Sequence, residues 1–185
     1  MPAFDASANL FLIGYRGVGK STVADILARE LGRQWTDADA LLEARQGRTI
    51  AEIFAEDGEA GFRRMETELL EELCRRERHI VATGGGVILC AANRDRLRAA
   101  GVCIWLTADP QTIAERLEAD PITRLRRPNL GRGGLAEIDE LLKIREPLYR
   151  ACAHWTIDTV KRTPHQVAEI ILERLNACKW RNVQA

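Results

Sequence analysis

Short apolar runs alternate along this chain with longer segments in which apolar residues recur at helical spacing. A short apolar run bounded by turn residues predicts a buried strand, and helical spacing predicts a helix with one face toward the core. The runs predict strands near residues 10–14, 33–36, 79–82, 102–106 and 155–157. The helical segments are 21–31, 39–46, a short one from residue 50 to Asp57-Gly58, 59–76, 109–118, 135–151 and 164–178. We expect Pro147 to interrupt the helix over 135–151.

Alternation of strands and helices is typical of an α/β domain with a mainly parallel sheet. The run 102–106 is apolar at every position, as expected of a strand that helices cover on both faces. A length of 185 residues suits one domain with a sizeable core. We therefore predict a single domain over residues 1–185.

Charge and composition narrow the classes of function. Lysine plus arginine and aspartate plus glutamate number 27 each, so the formal net charge is zero, which argues against a nucleic-acid partner. No apolar run has the length of a membrane span, and the first nine residues contain Asp5 and no arginine, unlike a transit peptide. We expect a cytoplasmic protein with no membrane partner. The five cysteines are odd in number and never spaced C-x-x-C, so we expect reduced thiols without a disulfide framework or a zinc cluster.

The strongest chemical signal is the segment Gly14-Tyr15-Arg16-Gly17-Val18-Gly19-Lys20-Ser21, which lies between the first predicted strand and the first predicted helix. It has the pattern and the strand–turn–helix context of a phosphate-binding loop. Its glycines permit backbone angles at which successive amide N–H groups turn toward a phosphate. Lys20 is expected to reach the terminal phosphates, and the Ser21 hydroxyl to bind a magnesium ion that bridges them. The alternative is a glycine turn that only links the strand to the helix. In that case the presence of Lys20 and Ser21 at the positions of the phosphate-loop pattern would be a coincidence.

Three further segments follow predicted strands. They are Asp37 with Asp39, the triple-glycine turn Gly84-Gly85-Gly86, and a basic loop over 120–134. Ligands of parallel α/β sheets bind at the carboxyl ends of the strands. We therefore expect a phosphate donor and a small acceptor to meet at this edge of the sheet.

The basic loop contains Arg124, Arg126 and Arg127 among prolines and glycines. Closure of such a loop would bring one arginine to the phosphates, where it would offset charge in the transition state. A solvated stretch without a ligand is the alternative.

The other candidates also have structural explanations. Asp39 could cap the helix that begins at Ala40, instead of accepting a hydrogen bond from an acceptor hydroxyl. The three glycines could form a flexible turn. Arg63 and Arg145, taken singly, would be surface charges, since most arginines are.

Together these segments resemble the shikimate kinase family, from about residue 10 to residue 175. The segments that carry the resemblance are the phosphate loop GYRGVGKST, the D-x-D at 36–39, GEAGFRRME at 58–66, ATGGG at 82–86 and REPLY at 145–149. The resemblance implies a three-layer P-loop kinase fold, in which helices flank a five-stranded parallel sheet. It also implies an acceptor-binding region near residues 37–65 and a mobile lid near 120–134.

The resemblance implies roles on the acceptor side. Asp39 matches the aspartate that binds the shikimate hydroxyls, and Arg63 and Arg145 match the pair that holds the substrate carboxylate. A planar guanidinium suits that task. Gly84, Gly85 and Gly86 match the glycines that line the shikimate pocket.

It also implies roles on the nucleotide side. Asp37 matches the aspartate tied to magnesium, and Arg127 matches the lid arginine. Arg116 and Pro164 are similar to the residues that flank adenine. The residues expected to hold ATP through the phosphate loop are Gly17, Val18, Gly19, Lys20, Ser21 and Thr22.

The implied activity is an ATP- and Mg²⁺-dependent transfer of phosphate to shikimate, giving shikimate 3-phosphate for aromatic amino-acid biosynthesis. Lys20, Asp39 and Arg127 are the expected catalytic residues, and a monomer is the expected state. The alternatives are another small-molecule kinase of this fold, such as a gluconate kinase, and a non-catalytic protein that binds a ligand.

Overall fold

Five parallel strands form one sheet in the computed structural model, which describes residues 8–119 and 134–183. The strands are β1 (Asn9–Ile13), β2 (Trp35–Asp37), β3 (Ile80–Ala82), β4 (Gly101–Thr107) and β5 (Trp155–Asp158). The helices of the described chain are α1 (Lys20–Leu31), α2 (Ala38–Gln46), α3 (Ile50–Cys74), α4 (Ala91–Ala100), α5 (Pro110–Ala119), α6 (Leu135–Cys152) and α7 (Pro164–Val183). A short 3₁₀ helix covers Val87–Leu89.

The strand order is β2-β3-β1-β4-β5, and every neighbouring pair is parallel. In register, Asp37 lies opposite Ala82, and Ala82 lies opposite Leu12. The segments that follow these three residues therefore leave the sheet at the same edge. Strands β2 and β3 lie on one side of β1, and β4 and β5 lie on the other, so the strand order changes direction at β1. Open α/β sheets bind ligands in the crevice at such a point.

Two apolar clusters cover the two faces of the sheet. Leu10 and Leu12 of β1 belong to one cluster, and Phe11 and Ile13 belong to the other. This follows from strand geometry, because successive side chains point to opposite faces. Both clusters share the one sheet, and the prediction of an α/β fold with helices on both faces is confirmed.

Local sequence signals begin and end several helices. Thr49 caps α3 in a reciprocal pair with Glu52, in which each side chain accepts from the other residue's backbone N–H. Asp109 accepts from the backbone N–H of Thr112 and so caps α5. Gly58, with φ 68°, breaks the helical geometry inside α3, close to the predicted stop at Asp57-Gly58.

Two features differ from the sequence prediction. Helix α4 was not predicted, because it is polar and buries only Asn93 and Leu97. The predicted interruption at Pro147 was wrong, since α6 continues through this residue. Pro147 and Lys143 are both exposed, so water can bind the Lys143 carbonyl that loses its helical partner.

The described helices include none that is both long and apolar enough to cross a bilayer. The five cysteines carry free thiols, and two of them, Cys103 and Cys152, are buried.

Candidate active site

The phosphate loop joins β1 to α1 and lies against the end of β4. Gly14, with φ 140°, has no room for a side chain, because a Cβ there would clash with the carbonyl oxygen of Leu106. Gly19, with φ 91°, caps the start of α1. The Lys20 amine is buried and donates to the carbonyl oxygens of Gly14 (2.9 Å) and Tyr15 (2.8 Å). The cation is thus held within the curve of the loop.

A hydroxyl and a carboxylate meet where β1 and β2 end. Ser21 Oγ donates to Asp37 Oδ2 at 2.5 Å. The other carboxylate oxygen, Oδ1, accepts from the backbone N–H of Ala40 at 3.1 Å and caps α2. The helix cap is therefore Asp37 and not Asp39, which lies in the first turn of α2. A hydroxyl and a carboxylate are oxygen ligands of the kind that Mg²⁺ prefers.

Asp39 and Gly84 line one cavity, as the sequence predicts for the acceptor side. Its other polar lining comes from Glu66 and Thr83. The apolar lining residues are Ala38, Leu42, Leu69, Leu70 and Val87. A small pocket with an apolar wall and a few polar groups is typical of a small-molecule site.

Arg63 lies beside this cavity and is mostly covered, with 20% of its side chain exposed. Its Nη1 donates to Glu66 Oε2 at 2.7 Å, and its Nη2 donates to Glu59 Oε1 at 3.3 Å. A Cβ on Gly86 would clash with the guanidinium, so this glycine provides the space in which Arg63 lies. The alternative of an exposed surface charge is wrong for Arg63.

Arg145 lies on α6 and faces the phosphate loop. Its Cζ lies 5.6 Å from the centroid of the Tyr15 ring. One helical turn later, the Tyr149 hydroxyl donates to the carbonyl oxygen of Gly85 at 2.5 Å. An ideal Cβ on Gly85 would lie 3.3 Å from the Gly14 carbonyl oxygen, so the glycine turn packs directly on the phosphate loop.

The predicted adenine side also forms a connected unit. Arg116 donates through Nη1 to Thr159 Oγ1 (2.9 Å) and through Nη2 to the Thr159 carbonyl (2.8 Å). Leu117 packs against Gly17 of the phosphate loop. Pro164, the first residue of α7, follows the Thr159 loop and is exposed. Arg116 and the segment leading to Pro164 are therefore held together.

Three of the predicted site residues remain to be located in the structure. In the loop and α1, Val18 is 2% exposed and Thr22 is exposed. Arg127 and the remainder of the predicted lid, up to residue 133, lie outside the described residues.

Sequence reasoning missed four residues that hold this site in place. Glu59 and Glu66 stand four positions before and three after Arg63, and this spacing alone could have indicated ion pairs on one helix. Tyr15 and Tyr149 gave no such signal, because their partners are distant in sequence.

The chain is similar to known proteins over most of its length. The family model described as "Shikimate kinase" matches residues 16–176. The shikimate kinase of Rhodopirellula baltica is 43% identical over 166 residues, which cover 89% of each protein. That of Symbiobacterium thermophilum is 41% identical over 168 residues, 90% of this chain and 95% of the relative.

Solved structures give the same result. A shikimate kinase from Acinetobacter baumannii in complex with shikimate superposes with a TM-score of 0.87 at 38% identity, covering 95% of this chain and 96% of that chain. A gluconokinase from Sinorhizobium meliloti superposes with a TM-score of 0.56 at 16% identity, covering 97% and 98%, and therefore shares the fold alone. The gluconate kinase alternative is not favoured. With a family match over most of its length and relatives at about two-fifths identity, the chain belongs to the shikimate kinase family.

Proposed function

We propose that the protein, a kinase that phosphorylates shikimate, binds ATP at its phosphate loop and shikimate in the cavity lined by Asp39 and Gly84. The observation that carries the proposal is the meeting of three features at one edge of the sheet. They are the loop around Lys20, the Ser21–Asp37 pair, and the cavity beside Arg63. The expected products are ADP and shikimate 3-phosphate.

On the donor side, Lys20 is the main cation of the loop. Its amine donates to two main-chain carbonyls, and neutral acceptors of this kind give way to phosphate oxygens, which form stronger charge-assisted bonds. The backbone N–H groups at the start of α1 add donors and the positive end of the helix dipole. These groups would hold the terminal phosphates of ATP through Gly17, Val18, Gly19 and Thr22 as well as Lys20.

The donor set at the strand ends fits a magnesium ion. Ser21 and Asp37 would hold it, because their oxygens already converge to 2.5 Å. When bound, Mg²⁺ supplies positive charge that neutralises the phosphate oxygens during transfer.

On the acceptor side, Arg63 and Arg145 would grip the carboxylate of shikimate. Guanidinium groups form two parallel hydrogen bonds to a carboxylate, which fixes the orientation of the ring that carries it. Asp39 would then accept a hydrogen bond from the attacking hydroxyl, and the glycine turn would bring its backbone close to the substrate. Phosphoryl transfer depends mainly on such positioning and on neutralised charge.

Other roles complete the proposal. Arg116 and Pro164 would flank the adenine, which the tie between Arg116 and Thr159 supports. Arg127 would bring a further positive charge to the phosphates. We also propose a single domain that acts as a monomer in the cytoplasm.

An acceptor panel in a coupled ADP-release assay tests the function. We expect ADP release with shikimate to exceed that with quinate or gluconate by at least about 100-fold, because a pocket built for one set of hydroxyls leaves polar groups unpaired with another. Equal rates with gluconate, or tight shikimate binding without ADP release, would contradict the proposal.

A matched pair of variants tests the role of Asp39. Asp39→Asn should lower kcat while the ATP KM stays constant, since the residue faces the acceptor cavity. Asp25→Asn is the control, because Asp25 lies on the outer side of α1 in an exposed pair with Arg29. An unchanged kcat in Asp39→Asn would remove Asp39 from the catalytic set.

A further inference from the structure

Tyr15 occupies a position of the phosphate loop at which the loop pattern requires no particular residue, yet its side chain is buried. Only 3% of Tyr15 is exposed. The Cζ atoms of Arg145 and Arg16 lie 5.6 Å and 5.9 Å from the centroid of its ring. Both distances are within the range in which a guanidinium is attracted to an aromatic face.

Arg145 differs from Arg63 in what holds its charge. Arg63 has two carboxylate partners on its own helix, Glu59 and Glu66. Across residues 8–119 and 134–183, no carboxylate lies within 4.0 Å of Arg145. In this part of the chain, the charge of Arg145 lies over the ring of Tyr15.

We propose that Tyr15 is a positioning residue that orients Arg145 toward the carboxylate of the acceptor. The inference rests on the proposed function, in which Arg145 binds that carboxylate. A ring face attracts the cation and accepts no strong hydrogen bond, so the N–H donors of the guanidinium stay available to a ligand. A carboxylate partner would occupy those donors.

The surroundings of Tyr15 tie this contact to the phosphate donor. The carbonyl oxygen of Tyr15 accepts from Lys20 Nζ, so the residue that supports Arg145 also belongs to the ATP-binding loop. Helix α6 is fixed one turn beyond Arg145 by the bond from Tyr149 to Gly85. Through these contacts, Tyr15 positions Arg145, the arginine proposed to bind the acceptor, relative to the phosphates of ATP.

Two substitutions at Tyr15, each made with Arg145 intact and with Arg145→Ala, provide the first test. Tyr15→Leu removes the ring and should raise the shikimate KM about threefold to tenfold, within the range of a cation–π contact and no more than the loss of Arg145 itself. Tyr15→Phe keeps the ring and should restore the shikimate KM to within about twofold. The ATP KM should stay constant in both, because the main-chain carbonyl that binds Lys20 is retained. Tyr15→Leu should add nothing to the shikimate KM when Arg145 is alanine.

A second measurement avoids loss of folding. Phenylalanines with one, two and three ring fluorines at position 15 keep the shape of the core nearly constant while they weaken the negative ring face. The shikimate KM should rise with each fluorine when Arg145 is present and stay flat in Arg145→Ala.

The outcomes separate the two proposals. A flat fluorine series with Arg145 intact, or an effect of Tyr15→Leu that persists in Arg145→Ala, would overturn the positioning role of Tyr15. If Arg145→Ala by itself leaves the shikimate KM unchanged, the failure lies in the proposed carboxylate contact of Arg145.

Discussion

Arg63 lies against Gly86 of the glycine turn and Arg145 lies against Tyr15 of the phosphate loop, and the protein holds each of them in a different way. Arg63 lies on α3 between Glu59 and Glu66, and Glu66 is 6% exposed. Arg145 lies on α6 against the ring of Tyr15. The first arginine is oriented by charges on its own helix, and the second by an aromatic ring from a distant loop.

The difference has an energetic consequence. A buried carboxylate holds a guanidinium firmly. If the guanidinium is removed, the carboxylate loses that partner while it stays buried, where an ionised group is destabilising. An aromatic ring holds the guanidinium more weakly and tolerates its loss. Arg63 should therefore matter for both stability and binding, and Arg145 for binding alone.

Arg63→Ala should have the largest effect. We expect the shikimate KM to rise at least about 30-fold, equivalent to about 2 kcal/mol or more, since the proposed substrate contact and its support at Glu66 are lost together. The free energy of unfolding should fall by about 1–3 kcal/mol in urea denaturation. Arg64→Ala, at the exposed neighbouring position, is the control and should change neither quantity. An unchanged shikimate KM in Arg63→Ala would remove the carboxylate assignment.

Arg145→Ala should raise the shikimate KM about tenfold, in line with loss of one charged hydrogen-bonding group. The free energy of unfolding should stay within about 0.5 kcal/mol of the parent protein. Lys143→Ala on the same helix removes an exposed charge and serves as the control. A loss of stability as large as that of Arg63→Ala would show that the two arginines are held alike.

Gly86→Ala probes Arg63 without deleting it. The added methyl group clashes with the guanidinium, which is the flexible end of its side chain and can move aside. We expect a rise in the shikimate KM of about threefold to tenfold, equivalent to about 0.6–1.4 kcal/mol, with little change in Tm. In the double variant with Arg63→Ala the methyl group should add nothing, and an additive effect would mean that Gly86 acts independently of Arg63.

Lowering the pH should have the smallest effect of the four changes. It should lower the free energy of unfolding without changing the contacts of Arg63 or Arg145. Burial lowers the pKa of His154 and of His79 below the ordinary value of 6.5, with further contributions from Arg98 and Arg76 respectively. In the folded state, His154 Nδ1 accepts from the backbone N–H of Cys103 at 2.9 Å and must be unprotonated to do so. The unfolded chain therefore binds protons more readily, and the free energy of unfolding should fall as the pH drops from about 6.5 toward the lowered values.

Urea denaturation at several pH values checks this expectation. His154→Asn keeps an acceptor oxygen and does not titrate, so its stability should depend less steeply on pH than that of the parent protein. Both histidines lie at the amino end of the sheet, opposite the proposed site, so the shikimate KM should not follow the same curve. A steeper dependence in His154→Asn would contradict the assignment.

Most of the strands and helices, and part of the candidate site, could be predicted from the sequence. The alternation of apolar runs and helical spacing predicted all five strands and all the described α-helices except α4, whose Asn93 and Leu97 give too weak a periodic signal. It predicted α3 as two helices that meet at Gly58, and it did not predict the 3₁₀ helix. The phosphate loop was predicted because its function depends on contiguous residues. Asp37 was correctly located but not its use as the cap of α2, since Asp37 and Asp39 are equally good caps by residue type.

The sequence by itself determined the local features of this protein: the succession of strands and helices, the loop that surrounds Lys20, and the ion-pair spacing around Arg63. Each depends on residues a few positions apart. Only the tertiary structure decided the strand order, the burial of Glu66, the contact of Tyr149 with Gly85 and that of Arg145 with Tyr15. These contacts join residues far apart in the chain, and they form only when packing on both faces of the sheet brings the phosphate loop, the glycine turn and α6 to one edge.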